Sequence, residues 1–233
     1  MDSCVKHSAL RYSIAMTNRR LRHACVGVLT AASIVASPAR AGQGAPARAS
    51  TNNIIVFVGS SIFHRWTNLA AQMAPLPILN RAFDGAQTSD MLRGFDSFVL
   101  PSRPKVVVYY CGSNDVDAGD PADAIFERIE GFALRVKTDL PGARMIFVSI
   151  NRAPEKRDRW DVVDAVNRRV EAYAATTSFL QFVDVNPVLF NRDGSPRVEL
   201  YVADQLHFRP QAYEEFARIL KPVLSKTLVG SGE

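Results

Sequence analysis

The 233-residue chain is poor in cysteine and histidine, with three of the first and four of the second. Cys4 and Cys25 lie in the first 41 residues, which leaves Cys111 alone in the remainder. One thiol cannot form an intramolecular disulfide, so a disulfide-stapled scaffold is excluded there. The same remainder has two histidines, His64 and His207. One cysteine and two histidines are too few for a Cys/His zinc site. Long apolar runs are also missing. The most apolar stretch, residues 24–36 (ACVGVLTAASIVA), has 13 residues, too short for a typical membrane-spanning helix. Stability must come from an apolar core, and 47% hydrophobic residues can supply one.

Acidic charge is in deficit over the whole chain, with 23 Asp and Glu against 28 Lys and Arg. The excess is local. Lys6, Arg11, Arg19, Arg20, Arg22 and Arg40 face only Asp2 in residues 1–41, and the remainder is formally neutral. A basic patch for nucleic acid or an anionic membrane is therefore not implied. Residues 1–41 instead have the order of a secretory signal peptide. Arg19, Arg20 and Arg22 precede the apolar stretch, and Ala39-Arg40-Ala41 fits the small-x-small cleavage pattern. Met16 is an alternative start, and an uncleaved anchor or buried helix is the alternative reading. Export to the periplasm or outside the cell is expected, without stable membrane anchoring after cleavage. Residues 42–53 read as a disordered leader, 54–225 as one domain and 226–233 as a flexible tail.

Within 54–225, apolar runs alternate with helix-like segments. Strands are expected at 54–58 (IIVFV), 77–83, 105–110 (KVVVYY), 144–150 (RMIFVSI) and 180–185. Helices are expected at 64–73, 88–98, 121–139, 158–176 and 210–224, the last opening on Pro210. Strands rich in β-branched residues with little polar alternation imply a parallel sheet covered on both faces. The fold class is α/β, three-layered and flavodoxin-like, with about five parallel strands. Functional residues in such sheets gather in loops past the carboxyl ends of the strands.

Four segments stand out, the first three of them in such loops. They are Gly59-Ser60-Ser61, Asp84-Gly85-Ala86, Gly112-Ser113-Asn114-Asp115 and, late in the chain, Asp204-Gln205-Leu206-His207. Ester hydrolysis needs a nucleophile, a base and donors for an oxyanion. Ser61 at a strand-to-helix turn suits the nucleophile, His207 the base and Asp204 the group that orients it. The N–H groups of Ser61 and Gly85 and the amide of Asn114 suit the oxyanion hole. Each residue also has a plainer reading. Ser61 alone is an ordinary helix N-cap, Asn114 a turn residue and His207 a surface histidine.

Together and in this order, the four segments resemble the Ser, Gly, Gly-x-Asn-Asp and Asp-x-x-His blocks of the SGNH (GDSL) hydrolase superfamily. The surroundings "FVGSS" through Trp66, "LNRAFDG" from Leu79 to Gly85 and "DQLHF" from Asp204 to Phe208 resemble an exported bacterial group within it. The likeness covers about residues 54–223. It implies a serine esterase acting on small acyl esters, of carbohydrate or lipid, with Ser61, Asp204 and His207 as triad. No metal or organic cofactor is implied. Acyl transfer to a sugar hydroxyl, or thioester hydrolysis, is the alternative on the same site. A catalytically inactive periplasmic binding module is the alternative of another class. A nucleotide-binding flavodoxin-like protein is disfavoured, because Gly59-Ser60-Ser61 is too short and glycine-poor for a phosphate cradle.

Two departures stand out. Ser60 replaces the motif aspartate and opens a choice between Ser60 and Ser61 as nucleophile; alignment on Gly59 selects Ser61. Asp84 stands where relatives often have glycine and puts a carboxylate near the site. His64 is read as a solvated helix position, Cys111 as a small buried hydrophobe, and Asp115 as a cap or loop brace. The charged run 152–159 (RAPEKRDR) reads as a solvated loop and helix start. Its alternative is a substrate-facing lid with Trp160 at the pocket edge. Asp184 and Asp193 are read as structural.

Overall fold

The computed structural model describes residues 53–230. The signal-like residues 1–41, residues 42–52 of the leader and residues 231–233 lie outside the described residues. Five strands form one sheet: β1 (Ile55–Gly59), β2 (Ile78–Asn80), β3 (Val106–Tyr110), β4 (Arg144–Val148) and β5 (Leu180–Val183). All neighbours are parallel, in the order β2-β1-β3-β4-β5. The α/β, five-stranded parallel architecture expected from the sequence is the one observed.

Both faces of the sheet are buried, which explains the uninterrupted apolar strands. Ile55, Phe57, Val108 and Ile146 point to one side, against Trp66 and the residues Tyr213, Phe216 and Leu220 of helix α8 (Pro210–Gly230). Val56, Val58, Val107 and Phe147 point to the other. There they meet Met91 of α3 (Thr88–Arg93), Phe132 of α6 (Ala122–Asp139) and Val166 of α7 (Trp160–Ala175). The chain steps from β1 outward to β2, then back across β1 to β3. That reversal makes a crevice at the carboxyl ends of β1 and β3.

Several elements differ from expectation. The helix expected at 64–73 is two short ones, α1 (Ser61–His64) and α2 (Leu69–Met73). Trp66 sits between them, fully buried and stacked on Tyr213 at 5.1 Å. Burial of that indole outweighs helix continuity. The expected helix 88–98 bends at Gly94 into α3 and α4 (Phe95–Phe98). Only Ile78–Asn80 of the expected strand 77–83 forms a ladder; Arg81 and Phe83 still donate to the carbonyls of Phe57 and Gly59. A helix α5 (Ser113–Asp117) follows β3 at once, where only a loop was expected. Residues Pro154–Arg159 form a 3-10 segment before α7. Helix α8 runs on to Gly230, taking in residues 226–230 of the expected tail.

Candidate active site

The first strand ends on a glycine for a steric reason. Gly59 has φ +141°, and a Cβ there would lie 1.7 Å from the Tyr110 carbonyl oxygen. β1 and β3 thus approach closely, and Ser60 N–H donates to that same oxygen at 3.0 Å. Ser60 is buried at the N-cap of α1, with no side-chain capping bond. Ser61 opens α1 and is 7% exposed. Tyr213 of α8 donates its hydroxyl to the Ile62 carbonyl at 2.9 Å, tying α1 down.

The loop before α8 reaches this serine. The Ser61 hydroxyl is 2.8 Å from His207 Nε2, and His207 Nδ1 is 2.7 Å from Asp204 Oδ2. Ser61, rather than Ser60, meets the imidazole. Asp204 Oδ1 accepts the backbone N–H groups of Leu206 and His207, each at 2.9 Å. Gln205 between them takes φ +55°, which folds the loop back so that acid and base can meet. Burial pushes the Asp204 carboxyl upward. The hydrogen bonds from the His207 ring and from the two N–H groups act against it and win, lowering it to about 2. Asp204 is therefore a carboxylate that accepts Nδ1–H, the arrangement in which a neutral imidazole turns Nε2 toward the serine hydroxyl.

The other expected site residues lie on the same edge. Gly85 has φ +77°, and a Cβ on it would meet nothing within 4 Å, so backbone conformation rather than packing demands glycine there. Asn114 lies on α5 and donates Nδ2–H to the Ala86 carbonyl at 2.8 Å, which ties it to the Gly85 loop. The same carbonyl accepts from the Cys111 thiol at 3.2 Å. Cys111 is fully buried, and burial pushes its thiol well above the ordinary range. The Ser61 and Gly85 N–H groups have no acceptor among the described residues, and one Asn114 amide hydrogen is also left. Donors left free beside a serine can serve a developing oxyanion.

Further residues brace these groups. Asp115 is fully buried and accepts Thr88 N–H at 3.1 and 3.0 Å, besides the Thr88 hydroxyl. Arg128 donates to Asp115 at 3.1 Å and also pairs with Asp120. Asp115 is thus a loop brace, one of the two roles expected of it. His64 is exposed but not free: its Nδ1–H donates to the Ala82 carbonyl at 3.0 Å. Arg65, which sequence reasoning passed over, holds Asp84 through two contacts of 3.3 and 3.2 Å. Those hydrogen bonds lower the Asp84 carboxyl and raise the Arg65 guanidinium. Arg65 lies four positions after Ser61 and Asp84 immediately precedes Gly85, so adjacency to the motifs was the available signal.

The charged run 152–159 is not simply solvated. Lys156 is buried and pairs with Asp117 and Glu155, and Glu155 N–H donates to the Gln205 carbonyl at 3.3 Å. Burial prevails because acids from two elements converge on the ammonium. Trp160 donates Nε1–H to the Ala153 carbonyl at 2.8 Å and packs edge-on to Phe190, with Arg152 and Arg157 over its ring. Asp184 bonds Ser149 and Asn186, and Asp193 bonds Ser195 within a turn. Among the described residues, no group of three or more His, Cys, Asp or Glu could hold a metal ion. None of the helices described is long and apolar enough to cross a membrane.

Several solved structures share the fold. A GDSL-like lipase from Bacteroides thetaiotaomicron is 23% identical, with 75% of this chain and 89% of that one aligned at a TM-score of 0.66. A member of the lipolytic G-D-S-L family from Veillonella parvula is 19% identical, over 74% and 98%, with a TM-score of 0.63. A carbohydrate esterase of family 3 from Talaromyces cellulolyticus is 16% identical, over 76% and 98%, with a TM-score of 0.61. No curated protein sequence matches the chain. Residues 33–215, most of the chain and all four loops, match the family described as GDSL-like Lipase/Acylhydrolase. On that match this chain belongs to the GDSL-like lipase/acylhydrolase family.

Proposed function

We propose that the protein is a serine ester hydrolase of small acyl esters that works through an acyl-enzyme on Ser61. The observation that carries this reading is the single line of contacts from Asp204 through His207 to Ser61, at 2.7 and 2.8 Å. In the first half-reaction the Ser61 proton passes to His207 Nε2 while Oγ bonds the acyl carbon. The carbonyl oxygen gains the charge and is met by the N–H groups of Ser61 and Gly85 and the Asn114 amide. Collapse breaks the ester C–O bond, and His207 returns the proton to the leaving alcohol. In the second half-reaction His207 takes a proton from water, whose oxygen attacks the acyl carbon. Ser61 then leaves with that proton and the acid is released.

The substrate we favour carries an acetyl or other short acyl group, on carbohydrate or lipid. The fold shared with the Talaromyces carbohydrate esterase supports the carbohydrate side. The signal-like residues 1–41 support export to the periplasm or beyond, where such esters occur in cell envelopes and polymers.

The test is hydrolysis of p-nitrophenyl acetate and of acetylated sugars by the protein and by its Ser61→Ala variant. Release of acid should fall by about 10⁴-fold or more in the variant. Equal rates in the two proteins would overturn the reading.

A further inference from the structure

Lys156 has no role in the reaction just described, yet its placement is unusual. Its side chain is 2% exposed. Taking an ammonium out of water is costly unless opposite charge meets it, and removing one partner of such a pair leaves the other charge uncompensated. Nζ meets Asp117 Oδ1 and, at 3.1 Å, Glu155 Oε2. It meets them as a point charge, without hydrogen-bond alignment to either.

The partners matter more than the burial. Asp117 is the last residue of α5, three positions after Asn114 and therefore on nearly the same helical face. Glu155, next to Lys156 in the chain, gives its backbone N–H to the Gln205 carbonyl at 3.3 Å. Gln205 lies between Asp204 and His207. One short segment thus grips the turn carrying Asn114 through a charge, and the loop carrying acid and base through its backbone. The other side of α5 is already fixed, since buried Asp115 holds Thr88 and Arg128. The 204–207 loop is fixed to Ser61 by its own bonds. The spacing left for Lys156 to set is that between α5 and this loop.

We propose that Lys156 is a positioning residue whose ion pair with Asp117 sets Asn114 at its working distance from His207 and Ser61. The inference rests on the serine-esterase reading of the site. Lys156 touches neither substrate nor reacting atoms. It acts through Asn114, which requires that its effect vanish when the Asn114 amide is gone.

The experiment is a double-mutant cycle of Lys156→Met with Asn114→Ala, read as kcat and KM on p-nitrophenyl acetate. Lys156→Met alone should lower kcat by about 10- to 100-fold with KM little changed, the scale of an ångström-sized misplacement. In the Asn114→Ala background the same change should cost less than about threefold. Lys156→Arg, which keeps the charge, should recover most of the activity. Equal losses in both backgrounds, or a fall in melting temperature with kcat unchanged, would overturn the proposal. Should Lys156→Met fail to fold, Asp117→Asn replaces it in the same cycle. Hydrogen exchange of residues 113–118 is a readout independent of activity. It should accelerate in the Lys156 variant while β3 and β4 stay protected, and unchanged exchange in α5 would count against the clamp. Failure of the esterase reading would show separately, as activity surviving Ser61→Ala.

Discussion

His207 Nε2 lies 2.8 Å from Ser61 Oγ, although 146 positions separate them in the chain. The first sits in a loop before α8 and the second at the head of α1, and the parallel sheet brings both to one edge. Nothing in the local sequence around either residue sets that distance. It follows from β1 ending beneath Tyr110 and from α8 packing Tyr213 and Phe216 against Trp66.

Asp204→Asn should leave the fold intact and lower kcat by about 10⁴-fold, because the amide favours the wrong imidazole tautomer. The measurement is kcat on p-nitrophenyl acetate alongside circular dichroism. A variant that folds and keeps more than a tenth of the activity would show that Asp204 does not orient His207.

The low Asp204 carboxyl also has a consequence for acid stability. A carboxyl ordinarily near 3.9 in the unfolded chain and held at about 2 in the folded protein stabilises the fold above pH 4. That contribution disappears as pH falls from about 4 to about 2, since the unfolded chain then binds the proton first. Melting temperatures of wild type and Asp204→Asn should therefore converge over this window, with wild type the higher at pH 6. Parallel curves from pH 6 to pH 2 would contradict it.

Asn114→Ala removes the amide proposed as an oxyanion donor and leaves the Ala86 carbonyl with the Cys111 thiol alone among the described residues. Loss of one such donor costs about 10²- to 10³-fold in kcat with little change in KM. Steady-state kinetics on a short acyl ester check this. An effect confined to KM would mean that Asn114 binds the ground state instead.

Two glycines should respond differently to alanine. Gly59→Ala drives a methyl into the Tyr110 carbonyl and should destabilise by more than about 4 kcal/mol, at the rare end for single substitutions. Gly85→Ala meets open space and should cost only the left-handed backbone term, about 1–2 kcal/mol. Denaturant unfolding separates them, and similar losses would show that the close approach of β1 to β3 relaxes readily.

Asp84→Ala should release the Arg65 guanidinium at the rim of the site. The pair is exposed, so stability should change by less than about 1 kcal/mol. The kcat/KM for an ester carrying a carboxylate should rise relative to a neutral ester of the same length. An unchanged ratio would mean that bound substrate does not approach Arg65.

The fold class was legible because strands buried on both faces must be apolar throughout, as Val106–Tyr110 and Arg144–Val148 largely are. The candidate site residues stood out because Ser61, Gly85, Asn114, Asp204 and His207 each stand in a short motif past a strand or before a helix. Breaks in helices were not legible, since the 65–68 interruption depends on what Trp66 packs against. Asp115 could be read as a brace, but its partner Thr88, 27 residues earlier, could not. Lys156 makes the difference plainest. Within its own segment it is one of several charges, and a solvated loop is the natural reading. Asp117 and Glu155 change that by converging on it, and a buried charge is tolerable only where opposite charges arrive with it. Local motifs in the sequence marked which residues are candidates to react. Long-range packing decided which of them meet, because their separation is set by the strands and helices between them.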